Sequence, residues 1–131
     1  MSETAHRHKD RAPKSLSFAI IVCSTSRYHN LKAGKRVLDE SGDLIVKALK
    51  KHGHKVTSRV TVPDDKSFIK RSVEEALKSK DVDSVITCGG TGVSPTDVTI
   101  ETVEPLLEKR LEGFGEIFRW LGYGRLVRLP L

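Results

Sequence analysis

Apolar runs of strand length alternate with amphipathic stretches along most of this chain. The run LSFAIIVC (residues 16–23) is apolar apart from Ser17, rich in β-branched side chains and followed by a polar segment, which predicts a buried parallel strand that leads into a loop. The run KVTSRVTV (55–62) alternates apolar and polar residues and then meets Pro63 and two aspartates, which predicts a second strand and a turn. A third strand, SVITC (84–88), runs into a glycine-rich loop.

Helical periodicity fills the segments between these strands. Segment 36–54 repeats apolar residues at helical spacing and ends at Gly53 after several lysines, which is typical of an amphipathic helix. Segment 69–77 carries a similar apolar face, and a further helix is expected from Thr99, with Pro105 kinking or restarting it. Strands joined by helical crossovers predict an α/β fold, a three-layer α/β/α sandwich with a mostly parallel sheet.

The length and composition of the chain predict one folded unit. A chain of 131 residues with 37% hydrophobic content can bury one ordinary core. We expect that core in a domain over 15–131, preceded by a disordered basic tail over 1–14. The sequence contains no apolar run of membrane-spanning length and no secretory signal pattern, so a cytoplasmic location without membrane partners is expected. Cys23 and Cys88 are expected to be free thiols, because two cysteines do not make a disulfide framework.

The charge of the chain narrows the class of partner only slightly. A net charge of +6 and a pI near 9.5 suit nucleic acid, an acidic membrane surface or a small polyanionic substrate. The sequence has no continuous basic helix, no zinc-finger spacing and no aromatic-rich strand, which argues against nucleic acid. A basic nucleic-acid-binding module nevertheless remains one alternative class.

The glycine-rich loop is the first candidate for ligand binding. The carboxyl ends of parallel strands meet at one edge of a sheet, where the segments STSRYHN, VPDDKS and GGTGVSPTD would compete for a ligand. Glycines allow several N–H groups to converge on an anion, and nearby hydroxyls would add donors. The same glycines would also suit a tight turn that binds nothing. The candidate anion-binding residues of this loop are Gly89, Gly90, Thr91, Gly92 and Ser94.

Two aspartates follow the strands at that same edge. Asp64 comes directly after the second strand and Asp97 ends the glycine loop, so we expect both carboxylates near one ligand. Mg²⁺ takes one or two protein carboxylates and completes its shell with water and substrate phosphates. Asp65 is a weaker substitute for Asp64. Each aspartate alone would also suit a turn or a helix cap.

These residues together resemble one family. TCGGTGVSPTDVTIETVEPLLEKRLEGFGEIFR closely resembles the MoaB/Mog family of molybdenum-cofactor biosynthesis, in which a GGTG loop leads to an Asp-x-Thr helix start and a Gly-Phe-Gly-Glu stretch follows. The resemblance continues upstream through DESGDLIVKALKKHGHKV and VPDD and covers roughly residues 15–121. It implies a trimeric, Mg²⁺-dependent molybdopterin adenylyltransferase with ATP and molybdopterin as substrates. It also implies a MoeA-type molybdenum insertase downstream.

The resemblance assigns roles to individual residues. The family's two essential acidic positions fall on Asp64 and Asp97, which would be catalytic and metal-binding. Ser24, at the end of the first strand, and Glu116, in GFGE, would line the pocket with the glycine loop. Glu116 would equally suit the first turn of a helix, where a carboxylate is favoured. The sequence leaves molybdenum and tungsten pathways both open.

The last residues depart from the family pattern. After GFGEIFRWL the chain reads GYGRLVRLPL, which lacks the family's continuation and resembles no amphipathic element. We therefore expect a product truncated or diverged after about residue 121, with one sheet edge uncovered, part of the pterin pocket absent and a weakened trimer. That expectation favours one alternative function, a non-catalytic family member that binds molybdopterin or a partner protein.

Overall fold

A single parallel sheet organises the computed structural model, which describes residues 2–127. Its strands are β1 (Ser17–Cys23), β2 (Lys55–Val62) and β3 (Ser84–Cys88), in the order β2-β1-β3. Ile21 of the central strand lies opposite Val60 of β2 and Thr87 of β3. The two predicted crossovers therefore place all three carboxyl ends at one edge of the sheet.

Strand β1 is buried on both of its faces. Ala19 through Cys23 are each at most 4% exposed, and successive side chains of a strand point to opposite faces. Ile21 and Cys23 pack in one cluster with the helix that follows β2. The uninterrupted apolar run reflects this two-sided burial, and the expected three-layer α/β/α sandwich is confirmed.

Helices fill the connections between the strands and flank the sheet. Most begin at a side-chain cap: Ser24, Asp39 and Asp65 each accept a backbone N–H from the first turn that follows. The helix that ends at Val103 is followed by a short 3₁₀ turn, Glu104–Leu106, because Pro105 has no backbone N–H with which to continue an α-helix. The helices are α1 (Glu3–Arg11), α2 (Thr25–Lys32), α3 (Glu40–Lys51), α4 (Lys66–Lys78), α5 (Thr99–Val103) and α6 (Phe114–Val127).

Two helices stand where the sequence predicted irregular chain. Glu3–Arg11 is helical rather than disordered, because Ser2 caps it and cationic side chains occupy its last turn, although none of its residues is buried. The polar segment after β1 forms α2 rather than a loop, because the Ser24 hydroxyl accepts the Arg27 N–H.

The C-terminal helix also extends further than expected. Helix α6 continues through Gly122 and Gly124 to Val127, although glycine costs about 1 kcal/mol relative to alanine inside a helix. Its large apolar side chains are exposed, with Phe118 at 72% and Trp120 at 73%. The remainder of the departing segment, residues 128–131, lies outside the described residues.

An ion-pair network explains the glycine in the first turn of α3. Arg59 of β2 lies 2.6 Å from Asp39 and 2.7 Å from Asp43, and Arg27 of α2 lies 3.7 Å from Asp39. A Cβ on Gly42 would overlap the Asp39 carboxylate, so the glycine leaves room for the pair. Burial raises the pKa of Asp39, but hydrogen bonds from Arg59 and from the Gly42 N–H outweigh it and hold that pKa below its usual value.

None of the helices within residues 2–127 is long and apolar enough to cross a membrane.

Candidate functional site

The site lies where the three strands end. Ser24 and α2 follow β1, Asp64 follows β2, and the glycine loop follows β3. Because the strands are parallel and adjacent, these three connections share one edge of the sheet. The structure brings Asp64 against the glycine loop, and Asp97 folds back onto the same loop.

Two glycines let the loop approach its neighbours closely. Gly89 has a φ of +94°, and a Cβ there would overlap the carbonyl oxygen of Cys23 at the end of β1. Gly90 has a φ of +65°, and a Cβ there would overlap Thr99 Oγ1 and lie 2.9 Å from Asp64 Oδ1. The glycines are therefore needed for the shape of the loop, whatever it binds.

Thr99 anchors the loop from behind. It is 2% exposed, its hydroxyl donates to the Gly89 carbonyl at 2.9 Å, and its N–H donates to the Gly90 carbonyl at 3.0 Å. The sequence predicts Thr99 only as the start of a helix. Its place in the Asp-x-Thr pattern is the signal that could have pointed to an anchoring role.

The Asp64 carboxylate is held through one of its two oxygens. Asp64 Oδ2 accepts the Thr25 N–H at 3.1 Å and the Thr25 hydroxyl at 3.0 Å, and the Asp64 N–H donates to Thr25 Oγ1 at 2.9 Å. Within residues 2–127 no hydrogen bond reaches Asp64 Oδ1. Thr25 was missed from sequence, although it is the second polar residue after β1.

The Asp97 carboxylate is held in the same way. Asp97 Oδ2 accepts the Ser94 N–H at 3.1 Å, and the Asp97 N–H donates to the Ser94 carbonyl at 2.9 Å. Asp97 Oδ2 also lies against Gly92, where a Cβ would come within 2.6 Å. As with Asp64, no hydrogen bond from the described part of the chain reaches Oδ1.

The predicted hydroxyl residues lie along the same edge. Ser24 caps α2 and its hydroxyl lies 3.4 Å from that of Ser26. Thr91 is exposed, and the Ser94 hydroxyl lies 3.0 Å from that of Thr96. These groups are accessible to a ligand that lies over the loop.

Glu116 is the predicted residue that the structure does not bring to the loop. It stands in the first turn of α6, 3.3 Å from Arg119. It lines a separate cleft of about 440 Å³ with Ile100 and Glu104. Among the described residues no hydrogen bond or ion pair joins it to either site aspartate, so its helix-terminal role is the one the structure displays.

Cys23 is buried next to the glycine loop, where its carbonyl oxygen lies against Gly89. Burial raises the pKa of its thiol, a hydrogen bond with Thr99 lowers it, and the nearby Asp64 carboxylate raises it further, with a net increase. Both Cys23 and Cys88 are free thiols, as predicted. The raised pKa of Cys23 favours its neutral thiol, which does not repel an anionic ligand.

The donor set fits a hard cation that is shared with a phosphorylated ligand. No group of three or more histidine, cysteine or acidic residues in the described part of the chain could enclose a metal ion alone. Asp64 and Asp97 instead offer one unbonded oxygen each beside a loop of backbone N–H groups. Mg²⁺ is commonly bound by one or two carboxylates with water and phosphate oxygens as its other ligands.

Comparison with known proteins gives a consistent match. The family model described as a probable molybdopterin binding domain matches residues 19–125. The chain is 44% identical over 116 residues to the molybdenum cofactor biosynthesis protein B of Bacillus cereus, covering 88% of this chain and 64% of that protein. It is 39% identical over 110 residues to a probable molybdopterin adenylyltransferase of Methanocaldococcus jannaschii, covering 84% and 64%.

Solved structures match over the same region. The tungsten cofactor synthesizing protein MoaB of Pyrococcus furiosus superimposes with a TM-score of 0.71 at 40% identity, covering 87% of this chain and 66% of that one. A molybdopterin biosynthesis protein of Mycobacterium abscessus gives a TM-score of 0.74 at 33% identity, covering 86% and 66%. The chain thus spans about 64% of the length of these curated relatives and 66% of these solved chains.

Proposed function

The chain belongs to the family of probable molybdopterin binding domains, and on that premise we propose that it transfers AMP from ATP to the terminal phosphate of molybdopterin. Relatives named molybdopterin adenylyltransferase, in Methanocaldococcus jannaschii and Pyrococcus furiosus, are 39% and 42% identical to it. The observation that carries the proposal is the pair Asp64 and Asp97 beside one glycine loop, each held through Oδ2, with an Oδ1 that no described residue hydrogen-bonds.

The proposed reaction is a displacement at the α-phosphorus of ATP. An oxygen of the molybdopterin phosphate forms a new bond to that phosphorus, the bond to the bridging oxygen breaks, and pyrophosphate leaves with its electron pair. A phosphate is already ionised near neutral pH, so the step needs no strong general base. The chain's contribution is then to position both substrates and to stabilise negative charge.

Each part of the site has a role in that proposal. The N–H groups around Gly89, Gly90 and Gly92 would bind phosphate oxygens, which their close backbone approach permits. The hydroxyls of Thr91, Ser94 and Ser24 would add neutral donors that orient the substrates. In this proposal these residues bind the substrates, and Asp64 and Asp97 are catalytic.

The two aspartates are also the residues that would hold Mg²⁺. Their Oδ1 atoms would supply the hard oxygen ligands that this ion prefers. When bound, the ion neutralises charge on the transferring phosphates. The Oδ2 bonds to Thr25 and to the Ser94 N–H keep the carboxylates oriented in the free protein.

Wider aspects of the proposal rest on family membership. We propose a homotrimer in the cytoplasm that hands its product to a MoeA-type molybdenum insertase. Molybdenum and tungsten pathways both suit the site, because the metal would be inserted after this step. Nucleic acid is not part of the proposal.

One observation favours a second candidate, a non-catalytic binder of molybdopterin or a partner protein. Glu116 pairs with Arg119 in α6 and contributes nothing to the edge that holds Asp64 and Asp97. A pocket without that carboxylate would still bind the pterin phosphate through the glycine loop. The experiment must therefore separate turnover from binding.

The decisive experiment replaces Asp64 or Asp97 by asparagine and measures adenylylated molybdopterin formed from ATP. We expect turnover to fall about a hundred- to a thousand-fold in each variant, with molybdopterin affinity little changed, because the stabilised charge develops towards the transition state. Asp65→Asn is the matched control. Asp65 caps α4 through the Ser67 and Phe68 N–H groups, a role that asparagine retains.

Two results would contradict the adenylyltransferase proposal. One is an unsubstituted chain that binds molybdopterin and forms no product. The other is a pair of asparagine variants that lose affinity and keep their turnover. Either result would favour the binding protein. Calorimetry with ATP in the presence of Mg²⁺ or EDTA tests the metal separately, and equal binding in both would remove Mg²⁺ from the proposal.

A further inference from the structure

Thr25 and Asp64 share three hydrogen bonds across 39 positions of sequence. The N–H and the hydroxyl of Thr25 both donate to Asp64 Oδ2, and the Asp64 N–H donates to the Thr25 hydroxyl oxygen. A hydroxyl has one proton to donate and lone pairs to accept with. The Thr25 hydroxyl therefore donates its one proton to Asp64 Oδ2 and uses a lone pair to accept the Asp64 N–H.

These bonds determine which carboxylate oxygen is available. The last torsion of an aspartate side chain has a broad, two-fold profile, so a free carboxylate exchanges its oxygens easily. With Oδ2 held by two donors of Thr25, Oδ1 remains beside Gly90 and the phosphate-binding loop. Thr25 is also the first residue of α2, whose N-terminal N–H groups favour the ionised carboxylate.

From this geometry we infer that Thr25 is a positioning residue, which fixes the Asp64 carboxylate so that Oδ1 is presented to a divalent cation. The inference rests on the proposed function, which supplies the substrates. The positioning role itself follows from the hydrogen bonds between Thr25 and Asp64. Thr25 acts through Asp64, whose Oδ2 it binds.

The start of α2 is anchored independently of the Thr25 hydroxyl. The Ser24 N–H donates to the Val62 carbonyl at 2.9 Å, and Ser24 itself caps the helix by accepting the Arg27 N–H. Arg27 in turn donates to the Leu38 carbonyl at 3.2 Å. Loss of the hydroxyl should therefore spare the helix and release the carboxylate.

The test compares Thr25→Val, which keeps the shape and removes the hydroxyl, with Thr25→Ser, which keeps the hydroxyl. Thr57→Val is the matched control, since the Thr57 hydroxyl also bonds a residue 39 positions away, donating to the Phe18 carbonyl at 3.1 Å, away from the site. MgCl₂ alone is titrated into each protein, and the backbone amide resonances of Asp64 and Asp97 are followed by NMR.

We expect Thr25→Val to weaken Mg²⁺ binding by about ten- to a hundred-fold, the usual effect of removing a group that orients a metal ligand. Thr25→Ser and Thr57→Val should remain close to the unsubstituted protein. In the adenylylation assay, added Mg²⁺ should restore turnover to Thr25→Val, with the KM for molybdopterin unchanged. A purely structural role would not produce that rescue.

The outcomes separate this inference from the proposed function. If Thr25→Val binds Mg²⁺ as tightly as the unsubstituted chain, or if Thr25→Ser is equally impaired, Thr25 is not a positioning residue. If the unsubstituted chain binds no Mg²⁺, the inference is likewise overturned. If Mg²⁺ binding distinguishes the variants as expected while no adenylylated product forms, the positioning role stands and the adenylyltransferase function fails.

Discussion

Replacing Gly90 by alanine tests whether contacts with Asp64 and Thr99 shape the glycine loop. Gly90 has a φ of +65°, and the added methyl would overlap Thr99 Oγ1 and lie 2.9 Å from Asp64 Oδ1. Gly53, which lies two residues after the end of α3, supplies a matched control. Its φ is +81°, and nothing lies within 4 Å of the position that a Cβ would take. Both variants therefore strain the backbone, and only Gly90→Ala disturbs neighbouring side chains.

The two free-energy changes can be estimated separately. A left-handed backbone costs a residue with a Cβ about 1–2 kcal/mol, which applies to both variants. Displacing the buried Thr99 hydroxyl also breaks its bond to the Gly89 carbonyl, and an unsatisfied buried polar group costs about 1–3 kcal/mol. Gly90→Ala should therefore lower the free energy of unfolding by about 2–5 kcal/mol in all, and Gly53→Ala by the backbone cost alone.

Urea denaturation of both variants measures these free energies, and equal m-values would show that the unfolded ensembles are comparable. ATP binding in the presence of Mg²⁺ should weaken in Gly90→Ala, because the methyl pushes Asp64 Oδ1 from its place, and should be unaffected in Gly53→Ala. Equal losses of stability in the two variants would refute the reasoning. So would undiminished ATP binding by Gly90→Ala.

Three further predictions concern the surrounding structure. Gly42→Ala should lower the free energy of unfolding measured in urea, because its methyl would overlap the Asp39 carboxylate and lie 2.6 Å from Arg59 Nη2. Helix propensity alone would favour alanine by about 1 kcal/mol, so a stabilised variant would show that the ion pair can move. The pKa of Asp39 is lowered from 3.8 on folding, so its contribution to stability is fully present above that value and is lost as the pH falls through the lower folded pKa. Asp39→Asn should therefore be less stable than the unsubstituted protein near neutral pH and equally stable in strong acid. A loss of stability that does not vary with pH in urea titrations would contradict this. Cys23 is 4% exposed and its pKa is raised above 9.0, so iodoacetamide should label Cys88 first in the native protein. Equal labelling rates for the two cysteines, measured by mass spectrometry, would count against the burial of Cys23.

Local sequence patterns predicted the sheet well. Strand β2 occupies Lys55–Val62, the limits that its alternation and Pro63 predicted. The prediction succeeds because the alternation of a strand and the residues of its turn are both local features of the sequence. Helix α1 was missed because none of its residues is buried, so its sequence shows no helical repeat of apolar residues. Helix α2 was missed for a similar reason, although Ser24 supplied a capping signal.

The candidate site was predictable only in part. The sequence predicted that Asp64 and the glycine loop lie at one edge of the sheet, because parallel strands have their carboxyl ends at the same edge. The Thr25–Asp64 bonds join residues 39 apart, and no local pattern encodes such a pair. The pocket role of Glu116 was assigned from a motif and stays a prediction; in this chain Glu116 lies in the first turn of α6 and lines a different cleft.

The order of the strands has a consequence for synthesis on the ribosome. Strand β1 emerges first, yet it is the central strand, and it pairs with β3, which ends 65 residues later at Cys88. At 5–20 residues per second, the ribosome needs about 3–13 s to make the intervening chain. Throughout that interval the segment FAIIVC lacks one of its two partner strands. The nascent chain therefore displays an aggregation-prone apolar segment for seconds, which makes it a natural client for chaperones that bind extended hydrophobic peptides.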